Sequence, residues 1–134
     1  MVTPDKDMNN TSTAYPKLAV EFCGIPMKNP IVAASGTFGF GLEYAGYLDL
    51  SHDVGAISVK GLTPEPRHGN TGTRIAETAS GVLNCIGLEN PGAETFVRDT
   101  LPVLKTYDVP ILANISSADV DGYGYMAETL SVDG

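Results

Sequence analysis

Three short apolar runs in this sequence each end on a polar side chain able to bond a ligand. Ile31-Val32-Ala33-Ala34 ends on Ser35, Gly55-Ala56-Ile57-Ser58-Val59 on Lys60, and Ile111-Leu112-Ala113 on Asn114. The lysine is the most unusual of these, because desolvating an ammonium without a partner costs several kcal/mol. Either it faces a ligand that bears charge, or it snorkels to solvent from the strand end. Between the second and third runs lies Glu77-Thr78-Ala79-Ser80-Gly81-Val82-Leu83-Asn84-Cys85-Ile86-Gly87-Leu88-Glu89-Asn90-Pro91-Gly92, with carboxamides, hydroxyls and glycines among small apolar residues. Such a stretch makes a poor core and a good ligand wall. Backbone N–H groups at glycine approach a substrate closely, and Asn offers a donor and an acceptor together. A surface turn ahead of a helix, signalled by Asn90-Pro91-Gly92, is the plain alternative.

The elements that must position these groups follow from the apolar pattern. Leu18 to Phe22 is a short strand, and Gly24-Ile25-Pro26 turns the chain. Ile31 to Ala34 is too short for a helix and lacks polar alternation, which suits a strand covered on both faces. The Ser35-Gly36-Thr37-Phe38-Gly39-Phe40-Gly41 run that follows spaces its glycines as GxxGxG. It therefore fits neither the dinucleotide fingerprint nor the P-loop. Leu42 to Leu50 gives a short helix with Leu42, Ala45 and Leu48 on one side. Thr63 to Gly72 is a turn-rich loop, and Thr73 to Glu77 with Gly81 to Asn84 forms two extended arms around Thr78 to Ser80. A helix covers about Ala93 to Lys105, with Phe96, Val97, Leu101 and Leu104 as its apolar stripe. Pro102 kinks or divides it. Asp119 to Leu130 offers a last helix, weakened by Gly122 and Gly124.

Strands alternating with helices imply right-handed crossovers and a parallel sheet, so the fold class is α/β. In such folds the C-terminal strand ends share one edge, where sites form, and Ser35, Lys60 and Asn114 all stand there. An open sheet and a barrel both satisfy this pattern.

The bulk composition narrows the function classes. With 134 residues and 43% hydrophobic content, the chain has room for one globular domain and a core. A formal net charge of -8 with scattered basic residues argues against nucleic acid as a partner. Cys23 and Cys85 belong to no CxxC or His-bearing cluster, so no metal site is expected, and buried free thiols in a reducing compartment are the default reading. Met1 to Tyr15 lacks the apolar region of a secretory signal, and no run approaches the ~20 residues of a membrane helix. A cytoplasmic protein without a membrane segment is the simplest account.

In order along the chain stand Asn29-Pro30, Ala34-Ser35-Gly36-Thr37-Phe38-Gly39-Phe40-Gly41, Val59-Lys60-Gly61-Leu62-Thr63 and Pro66-Arg67-His68-Gly69-Asn70. Glu77-Thr78-Ala79-Ser80-Gly81, Leu83-Asn84-Cys85-Ile86-Gly87-Leu88, Asn90-Pro91-Gly92 and Ala113-Asn114-Ile115 follow. This ordered set resembles dihydroorotate dehydrogenases. Within them it looks most like the bacterial two-subunit branch, whose catalytic subunit works with an iron–sulfur flavoprotein and NAD. The resemblance implies a (β/α)8 TIM barrel that binds FMN and oxidises dihydroorotate to orotate in pyrimidine biosynthesis. Ser35, Lys60 and Gly61 would line the flavin, with Asn114 reaching it from the third strand. Lys60 would also approach the substrate, and its charge would favour the anionic reduced flavin near N1. Asn84, Cys85, Ile86, Gly87 and Leu88 would hold dihydroorotate. NAD, FAD and the iron–sulfur cluster would enter only through the electron-transfer subunit, and the complete enzyme would be a homo-dimer carrying that subunit.

The departures from the family pattern are equally specific. The branch's catalytic base is a cysteine in an Asn-x-Ser-Cys-Pro-Asn block, which neither Asn114-Ile115-Ser116-Ser117 nor Cys85 reproduces. No catalytic base is therefore expected in this chain. Cys85 reads more simply as a small residue packed beside the loop. A barrel takes about 250 residues and places its phosphate site near the last two strands. Residues 17–134 are thus expected to be a partial FMN-binding barrel domain with about three of the eight strands, and residues 1–16 a mobile polar tail. Two other readings stay open. One is a flavin enzyme of the dihydropyrimidine dehydrogenase type, which Glu77 to Gly92 fits less well. The other is a truncated, non-catalytic product with open strand edges.

Overall fold

The computed structural model describes residues 18–132; the polar tail expected over residues 1–16 lies outside them. The described chain begins with a hairpin, β1 (Val20–Phe22) and β2 (Ile25–Met27), paired antiparallel with Phe22 opposite Ile25. The turn is Cys23-Gly24, both with positive φ (52° and 82°), the pairing that lets a two-residue loop follow the strand twist. The turn expected at Gly24-Ile25-Pro26 is thus one residue earlier, and Ile25-Pro26 belongs to a strand. The hairpin has no neighbour in its sheet, so Pro26 removes no donor that a central strand would need.

Next come β3 (Val32–Ala33), α1 (Ser35–Phe38), a single 3-10 turn over Leu42–Tyr44, and β4 (Ala56–Ser58). The helix expected over Leu42 to Leu50 stops after that turn. The amides of Tyr47 and Leu48 both fold back on the Tyr44 carbonyl, and Gly46 adds backbone entropy against continuation. The hairpin β5 (Ile75–Thr78) and β6 (Gly81–Asn84) pairs Ile75 with Asn84 and Thr78 with Gly81, and realises the two arms read from the sequence.

The helix expected from Ala93 is continuous in path but mixed in winding. It comprises α2 (Ala93–Thr95), a π-helical stretch Phe96–Thr100, α3 (Leu101–Leu104) and a 3-10 end Lys105–Tyr107. Pro102 is the cause. It has no N–H for the Arg98 carbonyl and its ring crowds that turn, so the coil widens and Leu101 N–H bonds Phe96 O, five residues back. Strand β7 (Ile111–Leu112) and α4 (Val120–Leu130) complete the order. Asp119 caps α4 by accepting a hydrogen bond from Gly122 N at 2.8 Å, which offsets the low propensity of its glycines.

The sheet that matters has the order β3-β4-β7, parallel throughout, with Ala33 opposite Ile57 and Ile57 opposite Ile111. Its central strand is buried, as expected. Its edge is not. Ile31 is 57% and Val32 40% exposed, so the cover expected on both faces of the first run is missing here. The core lies between this sheet and the helices. Ile57, Val59 and Leu62 pack with Phe96, Leu101, Leu104 and Met126, and Val97 joins from the rim. Each such side chain contributes roughly 1.5–3 kcal/mol by leaving water. The Phe40 and Phe96 rings meet at 5.6 Å and bind the loop after α1 to the helical layer. Among the described residues no helix is long and apolar enough to cross a membrane.

Candidate functional site

The three polar strand ends converge. Ser35 opens α1 directly after β3, where the Ala34 carbonyl takes the amides of Thr37 and Phe38 and turns the chain at the sheet edge. From the other flank, Asn114 Nδ2 donates to Ser35 Oγ at 3.2 Å, across 79 residues of sequence. Lys60 stands between them at the end of the central strand, its amide bonded to Gly39 O at 2.8 Å. Ser35, Gly36, Phe38, Glu43, Tyr44 and Lys60 line a cleft of about 490 Å³ that opens at this edge. Its wall is stiffened by the Phe38 and Tyr44 rings, stacked at 4.5 Å, and by Tyr44 Oη donating to Thr37 O at 2.9 Å.

Lys60 is half-buried, neither sealed in the core nor free in solvent, and no ion pair among the described residues involves it. An ammonium, a hydroxyl and a carboxamide at the C-terminal ends of parallel strands form a donor-rich set. Such a set, beside the Glu43 carboxylate that lines the same cleft, suits a flat ring bearing carbonyl acceptors.

The second group of expected residues joins the first at one point. A Cβ on Gly61 would stand 2.9 Å from Leu88 Cδ1 and 3.7 Å from Asn114 Nδ2. Gly61 is therefore where the loop after β6 closes on the strand ends. Ile86, Gly87 and Leu88 are half-buried beside it, with Gly87 and Leu88 at positive φ (82° and 54°). Asn84 is not brought in. It ends β6, exposed, opposite Ile75, and makes no hydrogen bond to Ser35, Lys60 or Asn114 among the described residues. Cys85 is also exposed, its Sγ 3.0 Å from Asn70 Nδ2, which corrects the expectation that it packs as a small buried residue. Cys23 is exposed as well, in the hairpin turn. Both thiols sit on hairpins that stand off the core, which is why neither is buried.

What the sequence did not mark is the bracing of this loop. Asn70 donates its backbone N–H to Ile86 O at 2.9 Å and its side-chain amide to Cys85 O at 3.1 Å. Cys85 N–H bonds Arg74 O at 2.8 Å, and Arg74 Nη1 pairs with Glu89 Oε2 at 2.6 Å. Asn90 is buried and bonded to Thr63. The Pro66-Arg67-His68-Gly69-Asn70 block was visible as a motif, but its partners lie 15 or more residues away and no local pattern names them.

Fold and strand ends together define an α/β domain with a parallel sheet and a cluster of polar side chains beside a cleft at its C-terminal strand ends. The family model described as Dihydroorotate dehydrogenase matches residues 17–133. The chain belongs to the dihydroorotate dehydrogenase family. It is 49% identical over 117 residues to the dihydroorotate dehydrogenase B (NAD(+)) catalytic subunit of Thermoanaerobacter pseudethanolicus, covering 87% of this chain and 38% of that protein. The subunit of the same name from Halalkalibacterium halodurans is 53% identical over 115 residues, covering 86% and 37%. That from Listeria monocytogenes is 54% identical over 107 residues, covering 80% and 35%. The chain therefore spans little more than a third of the length of these relatives. A crystal structure of DHODH in complex with ferulenol from Eimeria tenella superposes with a TM-score of 0.58 at 22% identity, over 86% of this chain and 34% of that one. That likeness is one of fold.

Proposed function

We propose that this chain forms the first part of a (β/α)8 barrel and carries one flank of the site at which dihydroorotate is oxidised to orotate in pyrimidine biosynthesis. The observation that carries the reading is the half-buried Lys60, without an acidic partner among the described residues, in one cleft with Ser35, which Asn114 in turn bonds. When bound, FMN supplies the acceptor for the hydride that leaves C6 of dihydroorotate. Ser35, Lys60, Gly61 and Asn114 would hold it, with Lys60 offering positive charge to the ring edge and to the substrate. The backbone of Ile86, Gly87 and Leu88, close to Gly61, would orient the dihydroorotate ring, and Asn84 would have to swing in from the end of β6, where it stands exposed. The proton at C5 is assigned to no residue of this chain, and neither is the grip on the FMN phosphate.

The names of the relatives support a further part of the reading. They are catalytic subunits of an NAD(+)-linked form, which fits a partner subunit bringing FAD, an iron–sulfur cluster and NAD, in a cytoplasmic assembly.

The test uses the complete FMN-loaded enzyme of which this chain would be the first part, titrated with orotate and with uracil and then rapidly reduced with dihydroorotate; the 134-residue chain alone should not be bleached by dihydroorotate. Orotate should perturb the flavin absorbance and uracil should not. Lys60→Met should slow dihydroorotate-driven bleaching by roughly 10²-fold, the usual loss on removing one preorganised charge donor. A response to uracil alone would replace this substrate by another pyrimidine ring. Equal bleaching rates in Lys60→Met and parent would remove Lys60 from the role.

A further inference from the structure

The loop after β6 carries no regular structure, yet it hangs on a buried carboxamide that none of the roles above uses. We propose that Asn90 is the positioning residue that fixes Leu88, and with it residues 84–88, against the end of β4. For the ligand this rests on the dihydroorotate reading; for the geometry it stands alone.

Asn90 is 6% exposed. Its Oδ1 accepts from Thr63 N at 3.1 Å and from Gly92 N at 2.9 Å. Its Nδ2 donates to Thr63 Oγ1 and to Leu88 O, both at 2.9 Å. Two backbone donors on Oδ1 leave one orientation for the amide, and its bonding capacity is filled. Thr63 Oγ1 passes its own proton to Glu65 O at 2.7 Å, and Thr63 O receives Ala93 N–H at 3.0 Å. The Asn90 backbone exchanges hydrogen bonds with Arg67 in both directions at 2.9 Å. One side chain thus joins the continuation of β4, the substrate loop and the entry to α2.

The consequence falls on Leu88. At φ 54° it holds a left-handed conformation that a branched side chain resists. In that conformation its Cδ1 reaches Gly61, the neighbour of Lys60. Nδ2 of Asn90 on the Leu88 carbonyl is the contact that opposes relaxation. Without it the peptide after Leu88 is free to turn over, and residues 84–88 lose their register against the strand ends. Asn90 is buried and does not line the cleft, so it acts through Leu88 and not on the ligand.

The experiment is a double-mutant cycle in the complete FMN-loaded enzyme of which this chain would be the first part. Asn90→Asp keeps the size and the acceptor toward Thr63 N and Gly92 N but cannot donate to Leu88 O. Leu88→Gly adopts the left-handed conformation without strain. Asn90→Asp should raise the KM for dihydroorotate and the Kd for orotate roughly tenfold or more, with smaller effects on kcat and on FMN retention. The increase should shrink when Leu88 is Gly, because the strain that Asn90 opposes is gone. Equal increases in both backgrounds, or an unchanged KM, would overturn the proposal. Hydrogen exchange read over residues 18–132 is the second arm. Asn90→Asp should deprotect residues 85–90 while β4 and β7 stay protected. Uniform deprotection, or none, would also overturn it. A complete parent enzyme that neither binds orotate nor oxidises dihydroorotate sinks the functional reading, while the exchange arm still decides the role of Asn90.

Discussion

Two glycines of the Thr63-to-Gly72 loop share a backbone conformation and differ in what surrounds them, which makes them a controlled pair. Gly69 has φ 72° and Gly72 has φ 80°. A Cβ on Gly72 meets nothing within 4 Å. On Gly69 it overlaps the Ile86 carbonyl oxygen and stands 2.9 Å from Arg74 Nη1 and 3.3 Å from Glu89 Cβ. Gly72→Ala should therefore cost only the left-handed penalty, about 1–2 kcal/mol. Gly69→Ala carries the same penalty and must also push Ile86 away from Asn70. That breaks the 2.9 Å bond from Asn70 N to Ile86 O, for about another 1 kcal/mol. The half-exposed Arg74–Glu89 pair adds at most about 1 kcal/mol more. The expected difference between the variants is thus about 1–2 kcal/mol in urea unfolding. It should come with faster hydrogen exchange at residues 85–88 in Gly69→Ala alone. If the two variants share one midpoint and one exchange pattern, the loop is not braced from Asn70, and the account of how residues 85–88 are held is wrong.

Two further predictions bear on the frame. Leu104, fully buried in the layer between helices and sheet, should lose about 2–5 kcal/mol on substitution by Ala. A loss under 1 kcal/mol in urea unfolding would contradict the core described here. The Asp99 carboxyl is held below the usual carboxylate range, chiefly by the hydrogen bond from Arg98 and less by its charge, with desolvation opposing. A lowered folded-state pKa stabilises above the unfolded pKa, and that contribution is lost as pH falls through the folded value. Because both side chains are exposed, Asp99→Asn should lower stability only slightly at neutral pH, where the carboxylate is charged, and not at all at acid pH below the folded value, and the neutral effect should shrink in high salt. A loss of the same size at acid pH would show that the side chain supports more than this ion pair.

The local order of this chain was legible without coordinates. Apolar runs ending in Ser35, Lys60 and Asn114, helical stripes through Phe96, Leu101 and Leu104, and the arms around Thr78 to Ser80 were all readable. Each depends on periodicity or turn chemistry within a few residues, which is where sequence carries most of its signal. Pro102 announced a break in its helix, but not that the coil would widen into a π-helical stretch rather than kink. The ordered motifs also carried the family, since their identity and succession do not depend on contacts.

What the tertiary structure decided was which groups meet. The Ser35–Asn114 bond spans 79 residues, and the Thr63–Asn90 bonds span 27. Nothing in either neighbourhood encodes the other, because a hydrogen bond is set by distance in space. The same reason moved attention within Glu77 to Gly92. Its composition put weight on Asn84, whereas the fold holds Asn84 out on the hairpin and brings Leu88 to Gly61. Sequence alone thus determined the kind of site and the residue types that line it. The packing of β4 against the loop, through one buried carboxamide, decided how those residues face each other.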